Sequence, residues 1–347
     1  MALSALVIGG TGLIGAATVR RLAERGFEVT AAARGTVEPP QGLSEQARLI
    51  ELDRTEDDAL SNAVGDGYDV VVDTAAYRVE DAEQLVGLTG RIGSLVVLSS
   101  AAVYADAAGR SFEGASGPED FPEFPVPISE RQRTVEPADT GYAPRKVTIE
   151  RAVLDEDELR ATVVRPGAVY GPHDARPREW YFVKRALDRR PYVFLAYRGA
   201  SRFHPTAVGN VAELIRLAAE RPDRRVLNSA DPEAPTALAI GRAVSATLGH
   251  EPAEVLLPGP PVDGIGDHPW ATPRPFVLDT TESEITIGWR PVTRYERAVE
   301  PTCEALVERT RGRDWREALP GVAKYYGGMF DYEAEDRFLA SLRSLDG

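Results

Sequence analysis

Short runs of apolar residues alternate with amphipathic segments along the first half of the chain. The apolar runs lie at 5–8, 29–33, 49–52, 70–72, 95–98 and 161–164. Strands that are apolar at every position are typical of a parallel sheet that helices cover on both faces. The pattern therefore predicts a doubly wound α/β fold.

The alternation fades beyond Pro166, and this change predicts the domain organisation. Residues 171–202 and 230–310 are rich in proline, glycine and aromatic residues, and we expect them to form a smaller substrate-binding region. The apolar positions of 203–229 return to a helical spacing, so this segment is expected to rejoin residues 1–170 in the first domain. We expect an aromatic-rich C-terminal extension, 311–347, to fold over the substrate-binding region.

A glycine-rich turn directly follows the first apolar run and precedes a helical pattern. It reads Gly9-Gly10-Thr11-Gly12-Leu13-Ile14-Gly15. Gly9 suits a tight turn, Gly12 lets the backbone approach a pyrophosphate, and Gly15 permits close packing of the helix on the strand. The positive end of the helix dipole favours the pyrophosphate charge. This strand–turn–helix unit predicts a dinucleotide site of the Rossmann type, and a purely structural turn is the alternative.

The end of the second predicted strand bears on which dinucleotide is bound. No acid lies between Glu28 and Glu38, whereas Arg34 lies just past the strand end. A carboxylate here accepts a hydrogen bond from the ribose 2′-OH of NAD, whereas an arginine suits the 2′-phosphate of NADP. NADP is therefore the favoured cofactor, with NAD or a merely solvated Arg34 as the alternatives. Asp53, after the third strand, either accepts from the adenine amino group or caps a helix, a role for which Thr55 competes.

Tyr142 and Lys146 lie four residues apart and share one face of a predicted helix, which Asp139 or Thr140 is expected to cap. An ammonium group favours the phenolate and lowers a tyrosine pKa, so that the phenol can exchange a proton with a carbinol oxygen. Ser100 follows the fifth apolar run, at the carboxyl edge where open α/β sheets bind ligands. The three side chains predict an acid–base site for alcohol or ketone chemistry. A surface tyrosine beside a solvated lysine is the alternative.

Composition and charge disfavour several other classes of function. The chain has 347 residues, a formal net charge of −14 and no run of Lys and Arg, so we expect no nucleic-acid partner. No stretch reaches the roughly 18 apolar residues of a membrane span, and no signal sequence precedes the first strand, so a cytoplasmic location is expected. Cys303 is the single cysteine, and the histidines lack metal-ligand spacing. A small-molecule substrate and no metal are the resulting expectations.

Several motifs, in this order, resemble those of the extended short-chain dehydrogenase/reductase family, which includes nucleotide-sugar epimerases, dehydratases and reductases. The resemblance extends over residues 5–310. The segments that carry it are GGTGLIG at 9–15, SSAAVY at 99–104, YAPRK at 142–146, RPGAVYGP at 165–172 and, more weakly, FHPTAVGNVAEL at 203–214. Two further segments, ARG at 33–35 at the end of the second predicted strand and DRT at 53–55 after the third, resemble a subgroup of the family. That subgroup includes uncharacterised reductase-like proteins and plant chloroplast RNA-associated members.

The resemblance implies roles for individual residues. In this family the tyrosine is the general acid/base, the lysine holds the nicotinamide ribose and tunes the tyrosine, and the serine orients the substrate. The corresponding catalytic residues are Ser100, Tyr142 and Lys146. With the motifs above, the expected cofactor residues are Gly9, Thr11, Gly12, Leu13, Ile14, Gly15, Arg34, Asp53, Ala75, Ala76, Lys146, Pro166 and Val169. The expected substrate residues are Tyr77, His173, Arg202 and His204.

Departures from the family pattern narrow the expected activity. Ala101 and Ala102 stand where dehydratases carry an Asp–Glu pair, so dehydration by that route is not expected. The expected function is an NADP(H)-dependent ketone reductase or secondary alcohol dehydrogenase. Two alternatives stay open: an epimerase of a sugar or nucleotide sugar that retains its cofactor, and a non-catalytic cofactor-sensing or RNA-associated protein. A homodimer built on the Tyr142 helix also stays open by analogy with the family.

Overall fold

The computed structural model describes residues 2–36 and 38–345; positions 346 and 347 of the predicted extension lie outside the described residues. The strands are β1 (Ser4–Ile8), β2 (Glu28–Ala33), β3 (Arg48–Glu51), β4 (Val70–Asp73), β5 (Leu95–Leu98), β6 (Ala161–Pro166), β7 (Ala168–Tyr170), β8 (Tyr192–Leu195), β9 (Pro205–Ala207), β10 (Arg225–Ser229) and β11 (Ala253–Leu256). The helices are α1 (Leu13–Ala23), α2 (Ala59–Val64), α3 (Val79–Val86), α4 (Tyr142–Asp155), α5 (Trp180–Leu187), α6 (Val208–Glu220), α7 (Ala237–Thr247), α8 (Thr281–Ile287), α9 (Tyr295–Thr310), α10 (Trp315–Ala318), α11 (Pro320–Tyr326) and α12 (Tyr332–Leu345). Over these described ranges, no helix combines the length and apolar character that a bilayer span requires.

The central sheet has seven strands in the order β10-β6-β5-β4-β1-β2-β3. All of its neighbouring strands run parallel. β1 lies between β2 and β4, and Ala5 is in register with Val29 on one side and Val70 on the other. The strand order reverses beside β1, and open α/β sheets bind ligands at the carboxyl ends of the strands at such a point. The predicted doubly wound α/β fold is confirmed.

Two apolar layers bury the faces of this sheet. One layer contains Val7 of β1 and Leu214 of α6, and the other contains Leu6 of β1 and Ile149 of α4. Successive residues of a strand point to opposite faces, and both Leu6 and Val7 are fully buried. This burial on both faces explains why the first run is apolar at every position.

The chain divides into two compact units. The first, which we call the sheet unit, comprises Met1–Val169, Thr206–Pro232 and Leu278–Thr293. The second unit comprises Tyr170–Pro205, Glu233–Val277 and Arg294–Gly347.

The segment Leu278–Thr293 belongs to the sheet unit, whereas the sequence placed it in the substrate-binding region. Hydrogen bonds to Asn228 on β10 and Asn210 on α6 hold it there. Asn228 Nδ2 donates to the carbonyl oxygen of Asp279 at 3.0 Å, and Trp289 Nε1 donates to the carbonyl oxygen of Asn210 at 3.1 Å. These contacts join residues distant in sequence, so periodicity alone could not assign the segment.

The aromatic C-terminal residues are an integral part of the second unit rather than a separate extension. The ring centroids of Trp315 and Trp180 lie 6.1 Å apart, which packs α10 against α5. The buried guanidinium group of Arg185 on α5 forms an ion pair with Glu335 on α12. Buried Trp315 and Glu335 therefore attach the C-terminal residues to α5 within this unit.

Candidate active site

The glycine-rich turn joins β1 to α1 at the carboxyl edge of the sheet. Gly9 has φ +77°, a left-handed conformation that glycine adopts without strain. The backbone N–H groups of Gly9 and Gly10 both donate to the carbonyl oxygen of Ala32, at 2.9 and 3.0 Å. A Cβ atom on Gly15 would lie 2.0 Å from the carbonyl oxygen of Gly9. The turn and the start of α1 therefore fit together only with glycine at position 15.

Gly12 and the first turn of α1 form a cradle for an anion. A Cβ atom on Gly12 would contact only the carbonyl oxygen of Gly9, at 3.3 Å. Gly12 lines a cleft of about 520 Å³. The N–H groups in the first turn of a helix have no intrahelical acceptor, and the first turn of α1 carries no acidic side chain. Because these donors and the helix dipole suit a pyrophosphate, the residues present fit a dinucleotide.

Most of the predicted cofactor residues line this cleft. Those that do are Gly9, Thr11, Gly12, Leu13, Ile14, Gly15, Arg34, Asp53 and Ala75, and Tyr77, predicted at the substrate, joins them. Among the described residues, the lining does not include Ala76, Lys146, Pro166 or Val169. Ala76 and Lys146 are buried and hydrogen-bonded to each other, next to Tyr77. Pro166 is the last residue of β6, and Val169 lies in β7 and packs against the apolar core. The cleft thus brings together the residues predicted to contact the adenosine and the pyrophosphate, but not most of those predicted to contact the nicotinamide.

A buried ionic network that was not predicted from the sequence holds the loop after β4. Asp73 accepts from Arg54 Nη1 at 2.6 Å and from the backbone N–H of Ala75 at 2.8 Å. Asp81 accepts from the backbone N–H groups of Tyr77 and Arg78, at 2.8 and 2.9 Å. The signal that could have found it is Asp73 itself, since a carboxylate ending a fully buried strand requires a charged partner.

The same network sets the charge state of Asp81. Burial by itself would raise the pKa of Asp81, but the backbone N–H of Tyr77 and the charge of Arg54 outweigh it and hold that pKa below its ordinary value. Asp81 is therefore an anion that fixes the loop carrying Ala75, Ala76 and Tyr77.

Arg34 and Asp53 line the cleft at the ends of β2 and β3. Arg34 is exposed, whereas Asp53 accepts from the backbone N–H of Thr55 at 2.9 Å and from its hydroxyl at 2.7 Å. These two hydrogen bonds, with a smaller contribution from the charge of Arg34, lower the pKa of Asp53. Because α2 begins at Ala59, the alternative in which Asp53 caps a helix is wrong.

Lys146 lies in the first turns of α4 and is buried. Its Nζ donates to the carbonyl oxygens of Ala76 at 2.7 Å and Leu98 at 2.8 Å. The same nitrogen lies 4.4 Å from the ring centroid of Tyr77 and 5.8 Å from that of Tyr142. Burial lowers the pKa of Lys146 to about 8. The structure therefore places a buried titratable amine near the rings of two exposed tyrosines.

Tyr142 is the first residue of α4, and 45% of it is exposed. The expected cap by Asp139 or Thr140 is wrong. The carboxylate of Glu113 instead accepts from the backbone N–H groups of Tyr142 at 2.7 Å and Ala143 at 2.6 Å. A negative charge at the positive end of α4 stabilises the turn that carries the phenol.

Ser100 follows β5 and is half-buried. Its Oγ accepts from the backbone N–H of Ala102 at 3.1 Å and so caps a short helical turn. A serine hydroxyl that accepts one hydrogen bond keeps its proton to donate. The side chain therefore has a local structural task that is compatible with a substrate contact.

The other predicted substrate residues belong to the second unit. His173 is exposed and lines a shallow groove beside Arg309. Arg202 is exposed, whereas His204 is buried. The backbone N–H of His204 donates to the carbonyl oxygen of Phe276 at 2.9 Å. The substrate contacts of these residues stay predictions.

Replacing Glu113 with alanine is expected to lower the free energy of unfolding by about 1 kcal/mol, the usual cost of a lost side-chain cap. The loss follows from the two backbone N–H groups that the carboxylate satisfies. Urea denaturation measures it, with Glu119→Ala, which removes an exposed acid from the same loop, as the control. Equal unfolding midpoints for the two variants would contradict the cap.

A family model described as NAD dependent epimerase/dehydratase family matches residues 5–230. The chain is 31% identical over 172 residues to a 2′-dehydrokanamycin reductase of Streptomyces kanamyceticus, covering 48% of this chain and 43% of that protein. It is 23% identical over 309 residues to the chloroplast stem-loop binding protein of 41 kDa b of Arabidopsis thaliana, covering 82% of this chain and 74% of that protein. The chain therefore matches less than half the length of the reductase.

Solved structures with the same fold include two sugar-nucleotide epimerases. A UDP-glucose 4-epimerase of Thermotoga maritima has a TM-score of 0.67 and 20% identity, covering 88% of this chain and 99% of that chain. A UDP-N-acetylglucosamine 4-epimerase of Methanobrevibacter ruminantium has a TM-score of 0.69 and 18% identity, covering 89% of this chain and 99% of that chain. Likeness at this level of identity establishes the shared fold.

Proposed function

The chain belongs to the NAD dependent epimerase/dehydratase family, and we propose that it is an NADP(H)-dependent reductase of ketones or dehydrogenase of secondary alcohols. The observation that carries the proposal is the arrangement of Lys146 Nζ, 5.8 Å from the ring centroid of Tyr142. It combines a proton donor with a cation that stabilises the resulting phenolate. The dinucleotide cradle at Gly12 belongs to the same unit.

The chain's own side chains divide the proton chemistry between them. NADPH, when bound, supplies the hydride. The Tyr142 hydroxyl donates its proton to the carbonyl oxygen of the substrate, and the Ser100 hydroxyl donates a hydrogen bond to the same oxygen. The carbonyl oxygens of Ala76 and Leu98 accept from the Lys146 ammonium, which leaves one N–H that would donate to a ribose hydroxyl of the bound cofactor.

The preference for NADP rests on Arg34. Its guanidinium group is exposed beside the cleft, next to the negative charge of Asp53. A planar guanidinium group can donate two hydrogen bonds to a phosphate, and such charge-assisted hydrogen bonds are the stronger ones.

Arg34→Ala is expected to weaken NADPH binding by about tenfold to a hundredfold, the value of a hydrogen bond to a charged group. The affinity for NADH should stay unchanged, because the lost contact is to the 2′-phosphate alone. Calorimetry of both nucleotides on both proteins measures this, with Arg25→Ala, an exposed arginine outside the cleft, as the control. Equal affinity for NADPH and NADH in the wild type would contradict the proposed preference.

Two comparisons favour different reactions on this site. The Streptomyces kanamyceticus relative is by name a reductase, which supports net reduction. The family description and the sugar-nucleotide epimerases of the same fold favour the second candidate, an epimerase that retains its cofactor. A ketone panel of simple ketones, keto sugars and 2′-dehydrokanamycin, assayed with excess NADPH, separates the two by net cofactor consumption.

We propose no nucleic-acid partner, although one relative is by name a stem-loop binding protein. The formal net charge of −14 opposes a phosphate backbone. The dinucleotide cradle and the Tyr142–Lys146 pair instead support a small-molecule substrate.

A further inference from the structure

The peptide group between Ala76 and Tyr77 lies between two buried charges. At one end, its carbonyl oxygen, which belongs to Ala76, accepts from Lys146 Nζ at 2.7 Å. At the other end, its N–H, which belongs to Tyr77, donates to a carboxylate oxygen of Asp81 at 2.8 Å. The C=O and N–H of a planar trans peptide point in opposite directions. A single rigid group therefore joins the carboxylate on α3 to the ammonium on α4.

The carboxylate of Asp81 is itself fixed from several sides. The oxygen that holds Tyr77 also accepts from the backbone N–H of Arg78 at 2.9 Å, at the start of α3. The second oxygen lies 2.9 Å from Arg78 Nη2 and 3.3 Å from Arg54 Nε. Asp81 is 1% exposed. The carboxylate therefore has little freedom to turn, and neither has the peptide group that it holds.

The charged groups around Lys146 decide how much of its amine is protonated. Burial lowers the pKa of Lys146 most strongly, and the charge of Arg54 lowers it further. Three carboxylates raise it, namely those of Asp73, Glu150 and Asp81. Two phenols also lie nearby, with the ring centroids of Tyr77 and Tyr142 at 4.4 and 5.8 Å from Nζ. Because the pKa is about 8, the loss of one carboxylate changes the charged fraction near neutral pH.

Asp81 differs from the other two carboxylates in its connection to Lys146. Glu150 and Asp73 each form a closer ion pair with a buried arginine. Asp81 is paired with Arg78, whose side chain is 41% exposed and whose charge is therefore screened by solvent. Its hydrogen bond also engages the same peptide group that accepts from Lys146.

We propose that Asp81 is a positioning residue for Lys146. It holds the Ala76–Tyr77 peptide so that the carbonyl oxygen faces Nζ, and its negative charge favours the ammonium form, which stabilises the Tyr142 phenolate. The consequence for catalysis rests on the proposed reductase function, whereas the link between Asp81 and Lys146 does not.

The titration of Lys146 tests this link without an assay of activity. The lysines of the chain are Lys146, Lys184 and Lys324, so NMR of the full chain labelled with ε-13C lysine gives few signals, which Lys184→Arg and Lys324→Arg assign. Asp81→Asn removes the charge but keeps an oxygen that can accept from both backbone N–H groups. The midpoint of the Lys146 titration is expected to fall by about one pH unit, because an anion no longer favours the cation.

Glu80→Gln is the matched control, since Glu80 is exposed and lies in the same first turn of α3. It removes the same charge and should leave the Lys146 midpoint unchanged. If circular dichroism shows that Asp81→Asn does not fold, the double variant Arg78→Gln/Asp81→Asn removes the ion pair as a whole. Its Lys146 midpoint should also lie below that of the wild type, because the charge of the exposed Arg78 is screened.

The pH dependence of kcat tests the consequence for catalysis, at saturating NADPH and on the ketone of the panel that the wild type reduces fastest. A neutral Lys146 no longer stabilises the Tyr142 phenolate, so kcat should fall as the pH rises through the titration of this pair. In Asp81→Asn this alkaline limb should move to lower pH by the same amount as the NMR midpoint. In Glu80→Gln it should stay in place.

An unchanged Lys146 midpoint in Asp81→Asn, or an equal fall in Glu80→Gln, would overturn the proposal. A lowered midpoint with an unmoved alkaline limb would overturn the role in catalysis. If the wild type reduced no ketone, the proposed function would fail, and the Lys146 midpoint would still decide whether Asp81 acts on this amine.

Discussion

A Tyr142→Phe variant is expected to reduce ketones about a thousandfold more slowly than the wild type, within the range that general acid catalysis provides. The substitution removes the hydroxyl and keeps the ring. Because 45% of Tyr142 is exposed and the Glu113 cap engages only the backbone, α4 should keep its first turn. The loss should therefore fall on kcat, with the affinity for NADPH unchanged.

Steady-state kinetics on the ketone panel, together with NADPH calorimetry, measure this separation. Tyr325→Phe is the matched control, since Tyr325 is 54% exposed and belongs to the second unit. A Tyr142→Phe variant that keeps kcat within tenfold of the wild type would exclude this phenol as the proton donor.

Gly12→Ala and Gly15→Ala are expected to damage cofactor binding for different reasons. The Cβ of Gly12→Ala meets only one backbone oxygen, at 3.3 Å, but occupies the space that a pyrophosphate needs. We expect a nearly unchanged melting temperature and at least tenfold weaker NADPH binding. The Cβ of Gly15→Ala would lie 2.0 Å from the carbonyl oxygen of Gly9. The turn must then open, so we expect at least hundredfold weaker NADPH binding and a lower melting temperature.

Thermal denaturation and calorimetry on both glycine variants separate these two effects. Gly117→Ala is the control, because a Cβ there meets no atom within 4 Å. If Gly12→Ala bound NADPH as tightly as the wild type, the pyrophosphate would not lie against this turn.

The sequence predicted those parts of the molecule whose signals are local. The β1–turn–α1 unit follows from contiguous residues. Residues 5–8 of β1 are buried on both faces, so this strand is apolar at each of these positions and can be recognised in the sequence. The spacing of Tyr142 and Lys146 likewise put both side chains on one helix face, where the structure has them. Short-range periodicity and turn chemistry were sufficient for these elements.

The parts that the sequence could not predict depend on contacts between distant residues. Glu113 caps α4 at Tyr142, which lies 29 positions further along the chain. The backbone carbonyl oxygen of Asn210 accepts a hydrogen bond from Trp289, which lies 79 positions further along. The pairing of Arg54 with Asp73 spans 19 positions and has no periodic signature. Such contacts are fixed by tertiary packing, which overrides local capping and propensity.

Net consumption of NADPH on the ketone panel tests the central proposal most directly. The wild-type protein is mixed with a large excess of NADPH and each ketone, and NADPH oxidation is followed together with product formation. We expect many turnovers, with one alcohol formed for each NADPH oxidised, and loss of both NADPH oxidation and alcohol formation in Tyr142→Phe. No NADPH oxidation on the ketone panel, together with inversion of a carbinol carbon in a sugar or nucleotide sugar, would contradict the reductase and assign the site to an epimerase.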